Sequence, residues 1–415
     1  MTFKTDSFSL KQERLLLVVL AGMQFTHILD FMIMMPLGPQ LVRVFNISTH
    51  QFGLLLSCYT FTAAGAGLLA AAYVDRYDRR KLMLGLYVSF IVATLCCGLS
   101  PNYPVMLITR ALAGAFGGLL GSMVQTMVAD VIPFERRGKA MAIVMAAFSL
   151  STVAGVPIGL FLASHIPSLG WRAPFFFIVL LSSVFWLIAF RLLPSMTAHM
   201  HRPRDGSVFE QIYSAAKNRD HMRAFAFMAL IMMSGFAVIP FISLYLVSNV
   251  GLPESFLSVV YLAGGGATFF TSQLIGRMSD RYGKPTVFRW LAFAALVPLL
   301  ITTHLGHVPW WVALMNSTAF FVLISGRIIP GMAMTSAVAL PQVRGMFMSL
   351  LSSVQMLSAG TASLIAGMII TRNAAGQVEH YNIVGYLGAV AGLLTIWMAG
   401  RLTVAQVAPM VEGAD

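Results

Sequence analysis

The sequence predicts an all-α membrane protein in which twelve transmembrane helices form two pseudo-symmetric six-helix bundles. Of the 415 residues, 58% are hydrophobic and 10% are charged, and the mean hydropathy is +0.80. This composition is too apolar for a soluble core. Apolar runs of about 20 residues, the length that crosses a ~30 Å hydrocarbon layer, recur along the chain. Short charged motifs of the first half also recur in the second half.

The apolar runs define twelve predicted spans. Each predicts a helix, because backbone in lipid must satisfy its own hydrogen bonds. Span 1 is too long for a removable signal sequence and is followed directly by further membrane segments, so we expect it to remain in the mature protein. In chain order, span 1 to span 12 cover 13–36, 50–73, 82–99, 104–129, 139–163, 173–194, 223–248, 254–277, 286–303, 309–335, 346–370 and 382–401.

The distribution of Lys and Arg predicts the orientation, because positively charged loops are retained on the cytoplasmic side. With both termini in the cytoplasm, all but five of the 27 basic residues fall on that side. The five exceptions are Arg43, Arg172 and Arg372 outside, and Arg110 and Arg327 within spans. The net charge of +12 follows from this loop bias, so the sequence predicts a lipid bilayer and no nucleic acid as partner.

Motifs of enzymes and metal proteins do not occur in the sequence. The three cysteines, Cys58, Cys96 and Cys97, lie inside predicted spans and lack metal-ligand spacing. We find no glycine-rich nucleotide loop, no HExxH motif and no nucleophile elbow. The sequence therefore predicts no metal, no cofactor and no enzymatic activity.

A polar segment at 195–222 divides the spans six and six. It predicts an N-terminal six-helix bundle at 1–194, a cytoplasmic linker at 195–222, and a C-terminal bundle at 223–415 that ends in a short cytoplasmic tail. Parallel six-helix repeats build one class of transporter, in which the binding site lies near the membrane midplane between the halves.

Two charged turns, VDRYDRRK at 74–81 and GRMSDRYGK at 276–284, join spans 2 and 3 and spans 8 and 9. They resemble the signature of the major facilitator superfamily, which implies the fold of that family. The second copy fits at Gly276, Asp280, Arg281, Gly283 and Lys284. In the first copy the matching residues are Asp75, Arg76, Arg79 and Arg80, whereas Ala71 and Asp78 stand where glycines are usual.

The resemblance implies that both turns are a conformational latch that closes the cytoplasmic side. Asp75 would bind near Arg344 at the start of span 11, and Asp280 near Arg137 at the start of span 5. An Asp can cap the exposed amides of a neighbouring helix, where the helix dipole favours negative charge. The alternative is that the turns only anchor the topology through their positive charge.

Two further stretches resemble the drug:proton antiporter branch of the same superfamily. TRALAGAFGG at 109–118 places Arg110 in span 4, where the resemblance implies a buried arginine that takes part in proton transfer. AGVPIG at 154–159 places Gly155, Pro157 and Gly159 in span 5, where the resemblance implies a hinge. Small residues let helices approach closely and proline bends them, so packing without ligand contact explains the hinge motif.

Ionisable residues inside spans are candidates for proton coupling, because they are costly to bury in a membrane. Asp30 in span 1 and Arg110 in span 4 both lie roughly 9 Å from the outer ends of their spans, at about 1.5 Å per residue, and could form a pair. His27 shares a helical face with Asp30 and is either a proton relay or a hydrogen-bonded packing residue. The pair itself is either a switchable proton carrier or a permanent structural contact.

Other polar residues within spans are expected to line a substrate cavity. Arg327 has two readings: it faces the substrate, which would then be anionic, or it satisfies backbone carbonyls near Pro330. The expected cavity residues are Gln24, Gln125, Ser234, Asn316, Arg327 and Gln355.

The leading functional hypothesis is a secondary active transporter of the bacterial inner membrane, a monomer that exports a small organic compound in exchange for protons. The alternative is a proton-coupled or facilitative importer of a small metabolite, which would be anionic if Arg327 faces it, because a fold does not set the direction of transport. A sensor without flux or an intramembrane enzyme fits less well, because neither a signalling domain nor a nucleophile-base or metal constellation is found.

Overall fold

A computed structural model describes residues 10–73, 77–132, 134–193, 217–340 and 344–402. Within these residues, eleven helical segments are long and apolar enough to cross a membrane. The predicted span 2 is not among the eleven, but it is a 25-residue helix, Thr49–Tyr73. The all-helical fold predicted from the sequence is confirmed, with one addition: the loop between spans 11 and 12 forms a hairpin of two-residue strands, β1 (Thr371–Arg372) and β2 (Val378–Glu379).

The N-terminal half contains spans 1 to 6 and a short helix between spans 1 and 2. Its helices are Leu10–Ile33, Gly38–Phe45, Thr49–Tyr73, Arg79–Leu99, Tyr103–Val131, Phe134–Leu150, Val156–His165 and Ala173–Leu192. Span 5 consists of Phe134–Leu150 and Val156–His165, joined by a π-helical turn at Ser151–Gly155.

The C-terminal half contains spans 7 to 12. Its helices are Arg219–Phe236, Ile242–Tyr245, Leu257–Tyr282, Lys284–His304, Trp310–Gly326, Ile328–Ser336, Arg344–Ile369 and Tyr381–Met398. Spans 7 and 10 are each interrupted, near Pro240 and at Arg327 respectively.

Span 7 begins earlier than the sequence predicted. Its helix starts at Arg219, inside the predicted linker 195–222, because the Asn218 side chain accepts hydrogen bonds from the backbone amides of Asp220 and His221. Such a cap satisfies amides that have no partner within the helix. Residues 194–216, which make up most of the predicted linker, lie outside the described residues.

The two halves are joined at one end of the molecule. We call the end that carries the GRMSDRYGK turn the motif end, and the opposite end the distal end. One buried apolar cluster contains residues of both halves, including Phe52 and Phe241, whose rings meet edge to face at 5.8 Å. Two further clusters lie towards the motif end, and each is confined to one half.

Spans 2 and 11 form the first contact between the halves. Gly53 lies so close to span 11 that a Cβ atom there would be 2.8 Å from the carbonyl oxygen of Ser363. The Ser57 hydroxyl donates to the carbonyl of Gly360 at 2.8 Å, and the Thr49 hydroxyl donates to the carbonyl of Ile370. These contacts bring two backbones together without large side chains between them.

Spans 5 and 8 form the second contact. A Cβ atom on Gly265 of span 8 would lie 2.9 Å from the carbonyl oxygen of Thr152 and 3.1 Å from Cα of Val153. Both residues belong to the π-helical turn of span 5. The irregular backbone of span 5 therefore lies against a glycine of the other half.

We expect Gly265→Leu to weaken distal closure, because the added side chain must push the backbone of span 5 away. The matched control is Gly266→Leu, since a Cβ atom on Gly266 meets nothing within 4 Å. Labelling of a cysteine introduced at Phe31, in a background without the native cysteines, measures access from the distal side. Labelling should accelerate in the Gly265 variant only; equal rates in both variants would contradict the assignment of this contact.

Candidate functional site

A buried ion pair lies at the centre of the N-terminal half. Arg110 Nη1 of span 4 donates to Asp30 Oδ2 of span 1 at 2.8 Å, and both side chains are 0% exposed. The same nitrogen lies 3.3 Å from the Asp30 carbonyl oxygen, and the Thr94 hydroxyl of span 3 donates to Asp30 Oδ1 at 3.4 Å. The ion pair that was inferred from the equal depths of Asp30 and Arg110 in the membrane is therefore present. Its hydrogen bonds connect spans 1, 3 and 4.

Tyr59 of span 2, which was not predicted from the sequence, completes this environment. The Arg110 guanidinium lies over its ring, 4.4 Å from the centroid. Its ring also stacks on Phe31 at 5.4 Å, and Phe31 contacts Phe236 of span 7 at 6.1 Å. These aromatic contacts link the ion pair to the interface between the halves. No sequence signal distinguishes these three aromatic residues from the many others in apolar spans.

Several buried polar atoms near this interface have no hydrogen-bond partner among the described residues. They are Gln24 Oε1, both ring nitrogens of His27 and the Tyr59 hydroxyl oxygen. His27 packs against span 4, where Cβ atoms on Gly117 and Gly121 would lie 3.6 and 3.2 Å from its ring nitrogens. Gln125, one helical turn beyond Gly121, is exposed. Buried polar groups are normally paired, so this cluster is the best candidate for ligand contacts.

Three of the predicted cavity residues lie inside the C-terminal half instead. The Ser234 hydroxyl donates to the Gly388 carbonyl of span 12 at 2.7 Å, and Asn316 Nδ2 donates to the Thr302 hydroxyl of span 9 at 2.8 Å. Arg327 Nη2 donates to the Ile231 carbonyl at 3.3 Å. Each side chain turns towards helices of its own half, because a buried polar group requires a partner there.

Gln355 of span 11 is the remaining predicted cavity residue. It is half-buried, and its Nε2 lies 3.1 Å from the sulfur of Met332 in span 10. A thioether is a weak hydrogen-bond acceptor, so the Gln355 amide is available to donate to a stronger acceptor.

The first charged turn is described only in part. Asp75 and Arg76 lie outside the described residues, as does the Arg344 side chain. Arg79 is buried and its Nε donates to Asp130 Oδ2 of span 4 at 3.2 Å, while Arg80 Nη2 donates to the Phe190 carbonyl of span 6 at 2.7 Å. Both arginines therefore bind partners within their own half.

Asp78 and Gly283 occupy equivalent positions in the two turns but shape them differently. Asp78 caps span 3 by accepting a hydrogen bond from the Arg80 amide at 2.9 Å, with a φ of −55°. Gly283 precedes Lys284 at the start of span 9 with a φ of +88°, a conformation that favours glycine. A side-chain cap replaces the glycine turn in the first copy.

The expected contact between Asp280 and Arg137 is not present. Asp280 is exposed and forms no ion pair within the described part of the chain. The Arg281 guanidinium lies over the Tyr282 ring at 5.3 Å, and Arg137 Nη2 donates to the Ile132 carbonyl at 3.4 Å. The latch at this turn is therefore unengaged in a molecule whose halves meet at the distal end.

The glycines of the span 5 motif pack within the N-terminal half. A Cβ atom on Gly155 would lie 2.9 Å from Leu29 Cδ1, and one on Gly159 would lie 2.7 Å from Ile33 Cδ1. These two glycines, four residues apart, share one helical face that contacts span 1. The π-helical turn of span 5 directly precedes Val156 and Pro157, and Thr152 and Val153 of this turn contact Gly265 of span 8 on another face.

An ion pair connects the two halves at the distal end. Arg43, in the short helix after span 1, donates to both carboxylate oxygens of Glu254 at the start of span 8, at 2.6 and 3.2 Å. The side chains are 66% and 23% exposed. The hydrogen bonds raise the pKa of Arg43. We call this pair the distal clasp.

The repeated turns, the two helical halves and the contacts between them match a known family. A model of the Major Facilitator Superfamily matches residues 20–326. The chain belongs to the major facilitator superfamily. The uncharacterized MFS-type transporter YceJ of Bacillus subtilis (strain 168) is 25% identical over 381 residues, which cover 91% of this chain and 92% of that protein. The protein is thus a multi-pass membrane transporter, and members of this superfamily are transporters rather than enzymes.

Solved structures of the superfamily share the fold. The crystal structure of a D-xylose-proton symporter is similar with a TM-score of 0.76 and 17% identity, covering 93% of this chain and 97% of that chain. A bacterial homologue of the human lysosomal transporter Spinster, inward-facing and unoccupied, is similar with a TM-score of 0.70 and 16% identity, covering 95% of each chain. At these identities the similarity shows the fold alone.

We expect Glu254→Gln to open the distal end of this superfamily member slightly, because the distal clasp loses its charge. An exposed pair contributes about 0.2–1 kcal/mol, so the population of the distally open state should rise about 1.4- to 5-fold. Added salt should reduce the difference. Glu379→Gln, an exposed carboxylate at the same end, is the control; equal labelling of the Phe31 cysteine in the two variants would argue against the clasp.

Proposed function

We propose that the protein is a proton-coupled antiporter that exports a small organic compound from a bacterial cytoplasm by alternating access, as members of the drug:proton antiporter branch do. The buried pair of Asp30 and Arg110 carries this proposal. It is an ionisable couple inside a membrane span, in contact with the interface between the halves through Tyr59 and Phe31. Such residues mark proton relays and substrate pathways.

The motif end is the cytoplasmic end in this proposal, since the positive loops lie there. The distal closure then corresponds to an inward-facing state. The exposed Asp280 and the separate apolar clusters of the two halves support this assignment. In the opposite state the latch residues Asp75, Asp280, Arg137 and Arg344 would engage, while the glycine contacts and the distal clasp would separate.

The substrate site in this proposal is the cluster of unpaired polar atoms on spans 1 and 2, flanked by Phe31 and Phe236. Gln24, His27 and the Tyr59 hydroxyl offer hydrogen bonds, while the phenylalanine rings offer apolar surface. This combination suits a compound with an apolar or aromatic body and a few polar groups. Gln125 and Gln355 lie on neighbouring spans and extend the polar surface.

Coupling follows from a change in the environment of Asp30. In the inward-facing state both carboxylate oxygens face donors, Arg110 Nη1 and the Thr94 hydroxyl, which favours the ionised form. Separation from Arg110 in the outward-facing state would favour protonation from outside and release of the substrate. Return to the inward-facing state would release the proton into the cytoplasm and permit loading, as antiport requires.

Transport assays in inside-out membrane vesicles test the direction. A thermal-shift screen on purified protein first identifies a binding compound, because a ligand stabilises the folded state. We expect this compound to accumulate in the vesicles only when their lumen is acidic. Accumulation driven by the opposite gradient, or equilibration of the compound without any dependence on a gradient, would instead favour the importer.

Variants of the ion pair test the coupling. Asp30→Asn alone leaves Arg110 buried without its partner, a change that costs about 3–5 kcal/mol in buried pairs. The double variant Asp30→Asn with Arg110→Gln removes both charges and should recover most of that stability. We expect it to bind substrate without driving uphill export, as measured in the same vesicles. Proton-driven accumulation by the double variant would show that the pair has only a structural role.

A further inference from the structure

Arg327 is a second fully buried arginine, and its environment differs from that of Arg110. It lies where span 10 is interrupted, between the helices Trp310–Gly326 and Ile328–Ser336, and is 0% exposed. Of its nitrogens, Nη2 contacts the Ile231 carbonyl at 3.3 Å. Nε and Nη1 have no hydrogen-bond partner among the described residues. A guanidinium carries five N–H donors and stays charged in proteins, so most of its donors are unused.

No carboxylate of the C-terminal half neutralises this charge in the part of the chain that the structure describes. Asp220 pairs with Arg223, Glu254 forms the distal clasp, and Asp280 and Glu379 are exposed. The sequence places no Asp or Glu between 255 and 279 or between 281 and 378. The Ile231 carbonyl is a neutral dipole at a long distance. Arg327 is therefore a buried cation without a counter-charge, an arrangement that is strongly unfavourable.

Arg110 shows how the same fold satisfies a buried arginine. Its Nη1 is 2.8 Å from Asp30 Oδ2, and its guanidinium also lies over the Tyr59 ring. In the N-terminal half the protein supplies the anion. Among the described residues of the C-terminal half no such anion lies beside Arg327, and an anion from outside the chain would supply the compensating charge.

Two glycines, Gly235 and Gly392, lie next to the Arg327 guanidinium. A Cβ atom on Gly235 of span 7 would lie 3.9 Å from Nη2, and one on Gly392 of span 12 would lie 3.7 Å from Nη1. The same Cβ position on Gly392 would lie 3.3 Å from the Ser234 hydroxyl oxygen. The guanidinium therefore lies beside the backbones of spans 7 and 12. Apolar side chains also border these glycines, since Leu296 Cδ2 is 3.0 Å from the Gly392 position and Ile324 Cγ2 is 3.3 Å from the Gly235 position.

We propose that Arg327 is the cation of a binding site for a small monovalent anion, a halide or a carboxylate, between spans 7, 10 and 12. The unused donors Nε and Nη1 would hold the anion. An anion with a single negative charge neutralises this site, because the site contains a single guanidinium. The proposal depends on neither the direction nor the coupling of transport, so it can fail while the proposed function stands.

The test measures thermal unfolding of the purified full-length protein in detergent. Sodium gluconate is replaced stepwise by sodium chloride or by sodium acetate at constant ionic strength. We expect the melting temperature to rise with the logarithm of the anion concentration above the dissociation constant, with the folding equilibrium shifted about 100-fold at an anion concentration a hundred times that constant. A rise with chloride identifies an inorganic ion as ligand, whereas a rise with acetate alone identifies a carboxylate.

Two variants make the result specific. Arg327→Met should remove the dependence on both anions. Arg289→Met removes an exposed arginine of the same half by the same substitution and should leave the dependence unchanged. The proposal is overturned if the wild-type protein responds to neither anion, or if Arg327→Met responds as the wild type does.

A direct measurement decides the question even if Arg327→Met does not fold. Crystals of the wild-type protein are soaked in bromide and, separately, in 4-bromobenzoate, and the bromine is located by its anomalous scattering. We expect a bromide ion within hydrogen-bond distance of Nε or Nη1, or the carboxylate of 4-bromobenzoate at the same place. An unoccupied site after both soaks at saturating concentration overturns the proposal.

Discussion

Charged and polar groups inside a membrane need partners, because lipid supplies none, and this constraint organises the structure. The contact of Asp30 with Arg110 brings spans 1, 3 and 4 together, and Tyr59 adds span 2 by covering the guanidinium. A charge pair that would contribute little in water determines how four helices pack here. The same constraint directs Ser234 and Asn316 towards neighbouring helices of their own half.

The contacts within each half differ in kind from the contacts between the halves. Within each half, side chains fill the space between helices, and several polar groups are paired across it. Between the halves, the contacts of spans 2 and 11 and of spans 5 and 8 place glycines against backbone, and the hydroxyls of Ser57 and Thr49 donate to backbone carbonyls of span 11. The apolar core is continuous across the halves at the distal end and divided at the motif end. Each half has a packed interior, and the two halves are joined mainly at one end. This arrangement allows each half to move as a rigid unit.

Much of this could be predicted from the sequence. Hydropathy predicted the spans, because helix length in a bilayer is fixed by its thickness. Counting residues from the span ends predicted that Asp30 and Arg110 share a depth. Counting residues gives the depth of a side chain in the membrane, but it does not give the direction in which the side chain points around the helix axis. For this reason the face of Gly155, the inward turn of Arg327 and the contacts of Tyr59 became evident only when all twelve helices were placed.

The glycine contacts between spans 2 and 11 have a consequence for diversification. Gly53 meets the backbone of Ser363 and Gly367, and the hydroxyls of Ser57 and Thr49 donate to backbone carbonyls, so closure there depends largely on shape and main chain. Residues that contact the cargo can therefore be exchanged while the gate keeps its fit. A family built on such a gate can acquire new cargoes by changing a few pocket residues, without rebuilding the machinery that moves them.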